Sequence, residues 1–176
     1  HRGEHALEFQ AVYLRYLQRK GWLGDIQAVP ILCGAPHGLV AAGQSPCAVP
    51  AIGELLDLLA AQLAVDGRRW CLIAAADLAH VGPQYGDAQR LSPAGLAQVA
   101  TADHAMLERA AAGDAEGFYH QVMDDGDSRR ICGVAPIYAL LRLLPPARGE
   151  VLRYTQWADP AGDAAVTFAS VAFWRD

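Results

Sequence analysis

Residues 70–76 form an unbroken apolar run, WCLIAAA, which ends abruptly at Asp77. A run this short and this apolar is typical of a strand that is buried on both faces of a sheet. Such a strand needs helices packed above and below it, which restricts the fold more than any other segment does. The sequence therefore predicts an α/β fold in which a layered sheet is flanked by helices.

Helices are predicted where apolar side chains recur every three to four residues between starting and stopping signals. Ser92 followed by Pro93 is a predicted helix start, because serine caps and proline suits the first turn. Gly21 is a predicted helix stop. The predicted helices are residues 4–20, 51–65, 92–112 and 132–143, together with a helix that is capped by Asp114 and runs to about Met123.

Further segments that are rich in aliphatic, β-branched or aromatic side chains predict additional strands. One of them contains Pro30, which cannot donate to a strand ladder and prefers an edge or a bulge. These strands are residues 26–33, 150–157 and 165–174, and the glycine- and proline-rich or polar segments 34–50 and 78–90 are predicted loops. Because no linker or internal repeat interrupts this order, residues 1–176 are assigned to a single domain.

Composition and charge restrict the classes of partner and the cellular compartment that the sequence predicts. A formal net charge of −5 at pH 7 argues against nucleic acid, whose phosphates need a basic face. No apolar run approaches the ~20 residues that span a bilayer, and no signal-peptide pattern is present, so no membrane partner is expected. The cysteines form no C-x-x-C pair, which is typical of reduced thiols in the cytoplasm. They are Cys33, Cys47, Cys71 and Cys132.

The segment Asp77-Leu78-Ala79-His80 directly follows the predicted buried strand. A carboxylate and an imidazole at the end of a central strand lie where α/β sheets commonly place their ligands. Asp77 could orient a ring and His80 could move a proton near neutral pH. The alternative is that Asp77 caps the loop and His80 lies in a surface turn.

His5 is a second candidate, because Glu8 lies three residues further along the same predicted helix face. Histidine is the commonest metal ligand, and a nearby carboxylate can fix its tautomer. Alternatively, Glu4 and Glu8 simply favour the positive end of the helix dipole in a solvated first turn.

Cys132 is a third candidate, because it follows Arg129 and Arg130 at a predicted helix start. Both features favour the thiolate, which is the nucleophile and the metal ligand. The alternative is a small buried hydrophobic residue. That interpretation is the expected one for Cys33 and Cys71, which lie in predicted strands.

Four segments carry the candidate residues or lie between them, in the order 4–10 (EHALEFQ), 31–34 (ILCG), 75–83 (AADLAHVGP) and 131–137 (ICGVAPI). Together they resemble the motifs of the Memo family, called AmmeMemoRadiSam system protein B in bacteria. Residues 1–3 (HRG) also resemble the lead-in to the family's helix motif at residues 4–10, and residues 154–170 resemble the family's last pair of strands.

The resemblance implies a fold like that of the class III extradiol dioxygenases and a non-haem metal site. The family's ligands are two histidines and a cysteine, of which the second histidine falls on His5 and the cysteine on Cys132. The remaining site residues fall on His80, as acid and base, and on Asp77, as its support. The implied metal is iron or copper, with zinc as an alternative.

The resemblance also has departures. The family's first histidine belongs to an A-P-H-A-G-Y motif that this sequence lacks, so the chain is expected to lack the family's N-terminal segment. Ala75 and Ala76 replace two serines before the aspartate, and Ala6 replaces the serine after His5. By family analogy, the resemblance implies an AMMECR or radical-SAM protein as an expected partner.

Three functional hypotheses follow. The first is metal-dependent, dioxygenase-like or other oxidoreductase chemistry on a small-molecule substrate. The second is a non-catalytic scaffold that binds a peptide or protein and keeps a vestigial metal pocket. The third is a thiol-dependent hydrolase that uses Cys132 and a histidine, although no oxyanion-hole motif is visible.

Overall fold

The structure is a computed structural model that describes residues 6–34 and 36–174. The chain divides into two compact units, residues 1–34 and residues 35–176. In the first unit, helix α1 spans Ala6–Arg19. The helix ends just before Gly21, the predicted stop signal, whose φ of 71° is favourable for glycine and allows the Trp22 N–H to reach back to the Leu17 carbonyl. The assignment of the whole chain to one domain stays a prediction.

Within its described residues, the second unit contains five further α-helices and a three-stranded antiparallel sheet in the order β1-β3-β2. Its helices are α2 (His37–Ala41), α3 (Pro50–Val65), α4 (Pro93–Ala111), α5 (Ala115–Met123) and α6 (Val134–Leu143), and its strands are β1 (His80–Val81), β2 (Arg148–Ala158) and β3 (Ala165–Trp174). Short 3-10 helices cover Pro46–Ala48 and Pro83–Tyr85. The predicted α/β class is therefore confirmed, as are the helices and strands after residue 90.

Strands β2 and β3 form a long hairpin that pairs Arg148 with Trp174 at one end and Ala158 with Ala165 at the other. Side chains alternate across β3, so Ala165 and Thr167 are buried whereas Phe168 is 42% exposed. In the same unit, β2 packs against α4, α4 against α5, and α5 against α6. The core includes Leu78, Val81, Met106, Leu107, Phe118, Tyr119, Val122, Ile131, Val134 and Tyr138.

The two predicted strands before β1 are wrong. Residues 26–33 and 70–76 have no regular secondary structure, and in the first of these runs Val29 is 81% exposed. A strand is completed by a hydrogen-bonded neighbour, and within the described part of each unit neither run pairs with one. In the second run Ile73 is 54% exposed and Cys71 is exposed as well, so the predicted burial on two faces is also wrong.

The two predicted loops contain regular structure. Residues 34–50 include helix α2 and a 3-10 helix, and residues 78–90 include β1 and another 3-10 helix. Asp77 therefore does not follow a central parallel strand but leads into a short strand at one end of the antiparallel sheet order. Of the helices in the described ranges, none has both the length and the apolar character that a membrane crossing requires.

Helix α4 begins where the sequence predicted, and Ser92 is its cap. The Ser92 hydroxyl oxygen accepts a hydrogen bond from the Gly95 N–H at 3.1 Å. This bond satisfies one of the amide groups that every helix leaves unpaired in its first turn.

We expect Ser92→Ala to lower the free energy of unfolding by about 1 kcal/mol, because the first turn of α4 loses this acceptor. Urea denaturation measures the change. The control is Ser170→Ala, an exposed serine on β3, which should change the free energy by less than about 0.5 kcal/mol. Equal losses in the two variants would contradict the assigned cap.

Candidate functional site

The segment Asp77–His80 is hydrogen-bonded along one edge to strand β3. The Leu78 N–H donates to the Thr167 carbonyl at 2.8 Å, and the Thr167 N–H donates to the Ala79 carbonyl at 3.0 Å. The pairing continues into β1, where His80 lies opposite Val166. The sheet therefore holds the backbone on which both Asp77 and His80 are carried.

The other edge of this segment is hydrogen-bonded to the chain that carries Cys132. The Cys132 N–H donates to the Leu78 carbonyl at 3.1 Å, and the His80 N–H donates to the Arg129 carbonyl at 2.7 Å. Two motifs that are distant in sequence thus lie side by side. Leu78, between Asp77 and His80 in the chain, is the direct neighbour of Cys132.

The two paired segments are not of equal length. Between these bonds the first advances from residue 78 to 80, whereas the second advances from 129 to 132. Arg130 lies in the longer segment with a φ of 51°, a left-handed conformation that is unfavourable for a non-glycine residue. An extra residue of this kind bends the chain as a β-bulge does.

The Arg130 guanidinium group ties this bend to the start of the next loop. Nη1 donates to the His80 carbonyl at 3.2 Å, and Nη2 donates to Asp87 Oδ1 at 2.7 Å. The other Asp87 oxygen accepts from the Gly82 N–H at 2.6 Å. Gly82 has a φ of 108°, and a Cβ there would lie 2.6 Å from the Asp163 carbonyl oxygen, so the position requires glycine.

Asp87 is therefore held as a carboxylate. Partial burial raises its pKa, but hydrogen bonds from Arg130 and from the Gly82 amide outweigh this effect. The pKa of Asp87 consequently lies below its ordinary value of 3.8.

The His80 ring is held by its own chain and by a neighbouring aromatic ring. Nδ1 lies 3.2 Å from the Leu78 carbonyl oxygen, and the Tyr85 ring packs edge-on with the ring centroids 5.1 Å apart. Nε2 lies 4.0 Å from Asp77 Oδ2. That distance is too long for a direct hydrogen bond but leaves room for a bridging water or a substrate atom.

Cys132 has a constrained backbone and an exposed side chain. It lies just before α6, whose N-cap is Gly133, and not within the first turn. The two arginines that precede it direct their guanidinium groups at carboxylates, Arg129 at Asp103 and Arg130 at Asp87.

Gly133 allows the Cys132 segment to lie against the Asp77 segment. A Cβ at Gly133 would lie 2.8 Å from the Asp77 carbonyl oxygen and 3.0 Å from the Ala76 Cβ, and the Ile137 side chain is 2.8 Å away. Contacts this short leave no space for a methyl group, and two of these neighbours belong to the segment that carries the site.

Sequence analysis missed a buried carboxylate beneath these segments. Asp103 on α4 is 0% exposed and accepts hydrogen bonds from Arg129, Tyr154 and Thr167. Burial and the neighbouring Asp103 charge both raise the pKa of Tyr154, which keeps that hydroxyl protonated as a donor. Asp103 lies three residues before Met106 on the same helix. This helical spacing was the signal in the sequence that Asp103 faces the core.

The predicted ligand His5 lies outside the described residues, so the proposed pairing of His5 with Cys132 stays a prediction. In the ranges that the structure describes, no group of three or more histidine, cysteine, aspartate or glutamate residues is arranged to hold a metal.

His37 has a partner that the sequence did not indicate, since its Nδ1 lies 3.2 Å from Asp127 Oδ2.

We expect Gly133→Ala to lower the free energy of unfolding by about 1–3 kcal/mol, because its methyl group would push the two site segments apart. Chemical denaturation measures the loss. The matched control is Gly38→Ala in α2, where a Cβ meets nothing within 4 Å and alanine should be neutral or stabilising. If both variants match the wild type, the close approach at Gly133 is not a packing constraint.

Asp87→Asn should destabilise the protein in a pH-dependent way. Because the pKa of Asp87 is lowered by folding, its stabilising effect is complete above 3.8 and is lost as the pH falls through the folded-state pKa. The difference in free energy of unfolding between wild type and variant should be larger at about pH 6 than at about pH 3. Urea denaturation at both pH values measures it.

The control for this experiment is Asp57→Asn, which removes the same charge from a side chain that is 78% exposed. Its effect on stability should be small at both pH values. A gap for Asp87→Asn that stays constant with pH would contradict the assigned role of the carboxylate.

The sequence model of one protein family, described as Memo-like protein, matches residues 1–172. No curated protein matches the chain. The family match covers nearly the whole sequence, including both segments that meet at Leu78 and Cys132. The chain belongs to the Memo family.

Proposed function

We propose that the paired segments around His80 and Cys132 form the functional site of this Memo-family protein. In this proposal, Cys132 and His5 are ligands of a non-haem metal, and His80 transfers a proton in oxidoreductase chemistry on a small-molecule substrate. The observation that carries the proposal is the backbone hydrogen bond from Cys132 to Leu78, which puts the thiol-bearing residue next to the Asp77–His80 pair.

The surroundings of His80 suit a proton acceptor. Its Nδ1 faces the Leu78 carbonyl oxygen, which can only accept, so a neutral ring carries its proton on Nδ1. Nε2 is then the basic nitrogen. It lies 4.0 Å from Asp77 Oδ2, and in this proposal Asp77 supports the orientation of the ring.

Cys132 suits a metal ligand, because its backbone is fixed while its side chain is exposed to an incoming ion. Thiolate with imidazole favours iron, copper or zinc over magnesium or calcium. When bound, such a metal supplies a Lewis-acid or redox centre. The described residues alone do not complete its shell, so the proposal depends on His5 or on further ligands.

Cobalt(II) tests the ligand assignment, because a cobalt–thiolate bond absorbs in the near ultraviolet. We expect wild-type protein to show this band, and Cys132→Ser and His5→Ala to lose metal affinity by at least about 10–100-fold. His80→Gln should keep the band, because the proposal gives His80 a role in proton transfer and not in coordination. Elemental analysis of protein expressed with iron, copper or zinc gives the metal content.

The control is Cys71→Ser, which removes another exposed thiol from the same unit and should leave the band unchanged. Absence of the band in the wild type, or its persistence in Cys132→Ser, would refute Cys132 as a ligand.

A second candidate is a scaffold that binds an extended peptide without catalysis. One observation favours it: Ala75 and Ala76 replace the two serines of the motif that this segment resembles, which removes hydroxyl groups near the proposed site. Under this alternative, metal-free wild type and Cys132→Ser bind the same members of a peptide array equally well. Binding that requires metal, or substrate turnover, would exclude it.

A further inference from the structure

The carboxylate of Asp103 lies at the centre of a buried polar cluster beneath the proposed site. Its Oδ1 accepts from Arg129 Nη1 at 2.5 Å, and its Oδ2 accepts from the hydroxyls of Thr167 at 2.6 Å and Tyr154 at 2.9 Å. Asp103 and Thr167 are 0% exposed and Arg129 is 6% exposed. Three separate parts of the fold thus converge on one carboxylate.

Stability alone does not account for such a cluster. Moving a carboxylate and a guanidinium group out of water costs several kcal/mol each, and their attraction often does no more than offset this cost. What a saturated buried pair does achieve is a fixed geometry, because any displacement leaves a buried charge without its partner. In this cluster, the fixed geometry extends from Asp103 to two parts of the chain.

One connection runs through Thr167 to the Asp77–His80 segment. The Thr167 hydroxyl has one hydrogen, and it donates that hydrogen to Asp103. Its oxygen is therefore oriented to accept, and it accepts from the Ala79 N–H at 2.9 Å. The position of Asp103 therefore constrains the position of Ala79, the residue that precedes His80.

The other connection runs through Arg129 to the Cys132 segment. The side chain is held at two places, by Asp103 through Nη1 and by Asp125 through Nε at 2.7 Å. The backbone carbonyl of the same arginine accepts from the His80 N–H at 2.7 Å. Asp103 is thus linked to both segments of the proposed site, by one side chain on each side.

We propose that Asp103 is a positioning residue that sets the spacing between His80 and Cys132, acting through Thr167 on one side and Arg129 on the other. The effect on metal binding rests on the function proposed above, whereas the effect on backbone geometry does not. Asp103 itself touches neither a substrate nor a metal in this proposal.

Thr167→Val tests the proposal with the least disturbance, because valine keeps the shape and removes the hydroxyl. We expect amide hydrogen exchange at Ala79 and Cys132 to become about tenfold faster relative to exchange at Val122 in α5. Thr167→Ser should restore the wild-type rates, since it restores the hydroxyl. The control is Thr155→Val, the same change on the neighbouring strand β2, which should leave the ratio unchanged.

Cobalt(II) binding gives the second measurement. Thr167→Val should weaken binding by about 10–100-fold, because Ala79 follows Leu78, whose carbonyl holds the backbone N–H of the ligand Cys132, and Thr167→Ser should recover it. An exchange ratio that is unchanged in Thr167→Val overturns the positioning role, because a loss of general stability would raise exchange at Val122 equally. If the wild type binds no cobalt, the proposed function fails, and the exchange ratio alone decides whether Asp103 positions the two segments.

Discussion

The buried ion pair between Asp103 and Arg129 is the contact on which the arrangement of the second unit most depends. It joins helix α4 to the turn before α6, and through Thr167 it also joins both to strand β3. A pair that is this deeply buried tolerates little movement, because separation would leave each charge in the interior without the opposite charge beside it. Helix, strand and turn therefore have one mutual position, and the Asp77–His80 segment lies between the last two.

This constraint explains how a two-residue strand can be well placed. β1 is too short to be held by its own ladder, but the segment before it is bonded to β3 on one edge and to the turn around Arg129 on the other. Arg130 then closes the bend by holding the His80 carbonyl and Asp87. These side-chain bonds help to offset the unfavourable φ of Arg130.

Local signals predicted most of the second unit. Helix α4 has its serine cap, α5 has Asp114 accepting from the Gly117 N–H, and the β2–β3 hairpin has suitable composition; each is encoded within a short window. Residues 26–33 and 70–76 have equally apolar windows but form no strand, because strand formation depends on a partner elsewhere in the chain. Composition indicates that a segment is able to pair as a β-strand, but it does not indicate whether a neighbouring strand is present.

In the candidate site as well, local motifs could be predicted from the sequence whereas contacts between distant residues could not. Family motifs singled out Asp77, His80 and Cys132, and the backbone bonds at Leu78 bring their segments together. Asp103 and Arg129 escaped prediction because they lie 26 residues apart, and in isolation each is an ordinary charged residue on a helix or in a turn. The structure adds a role for the two arginines before Cys132 that the sequence did not indicate. Both are engaged by carboxylates that hold the backbone, so they help to fix the geometry of the segment that carries the thiol.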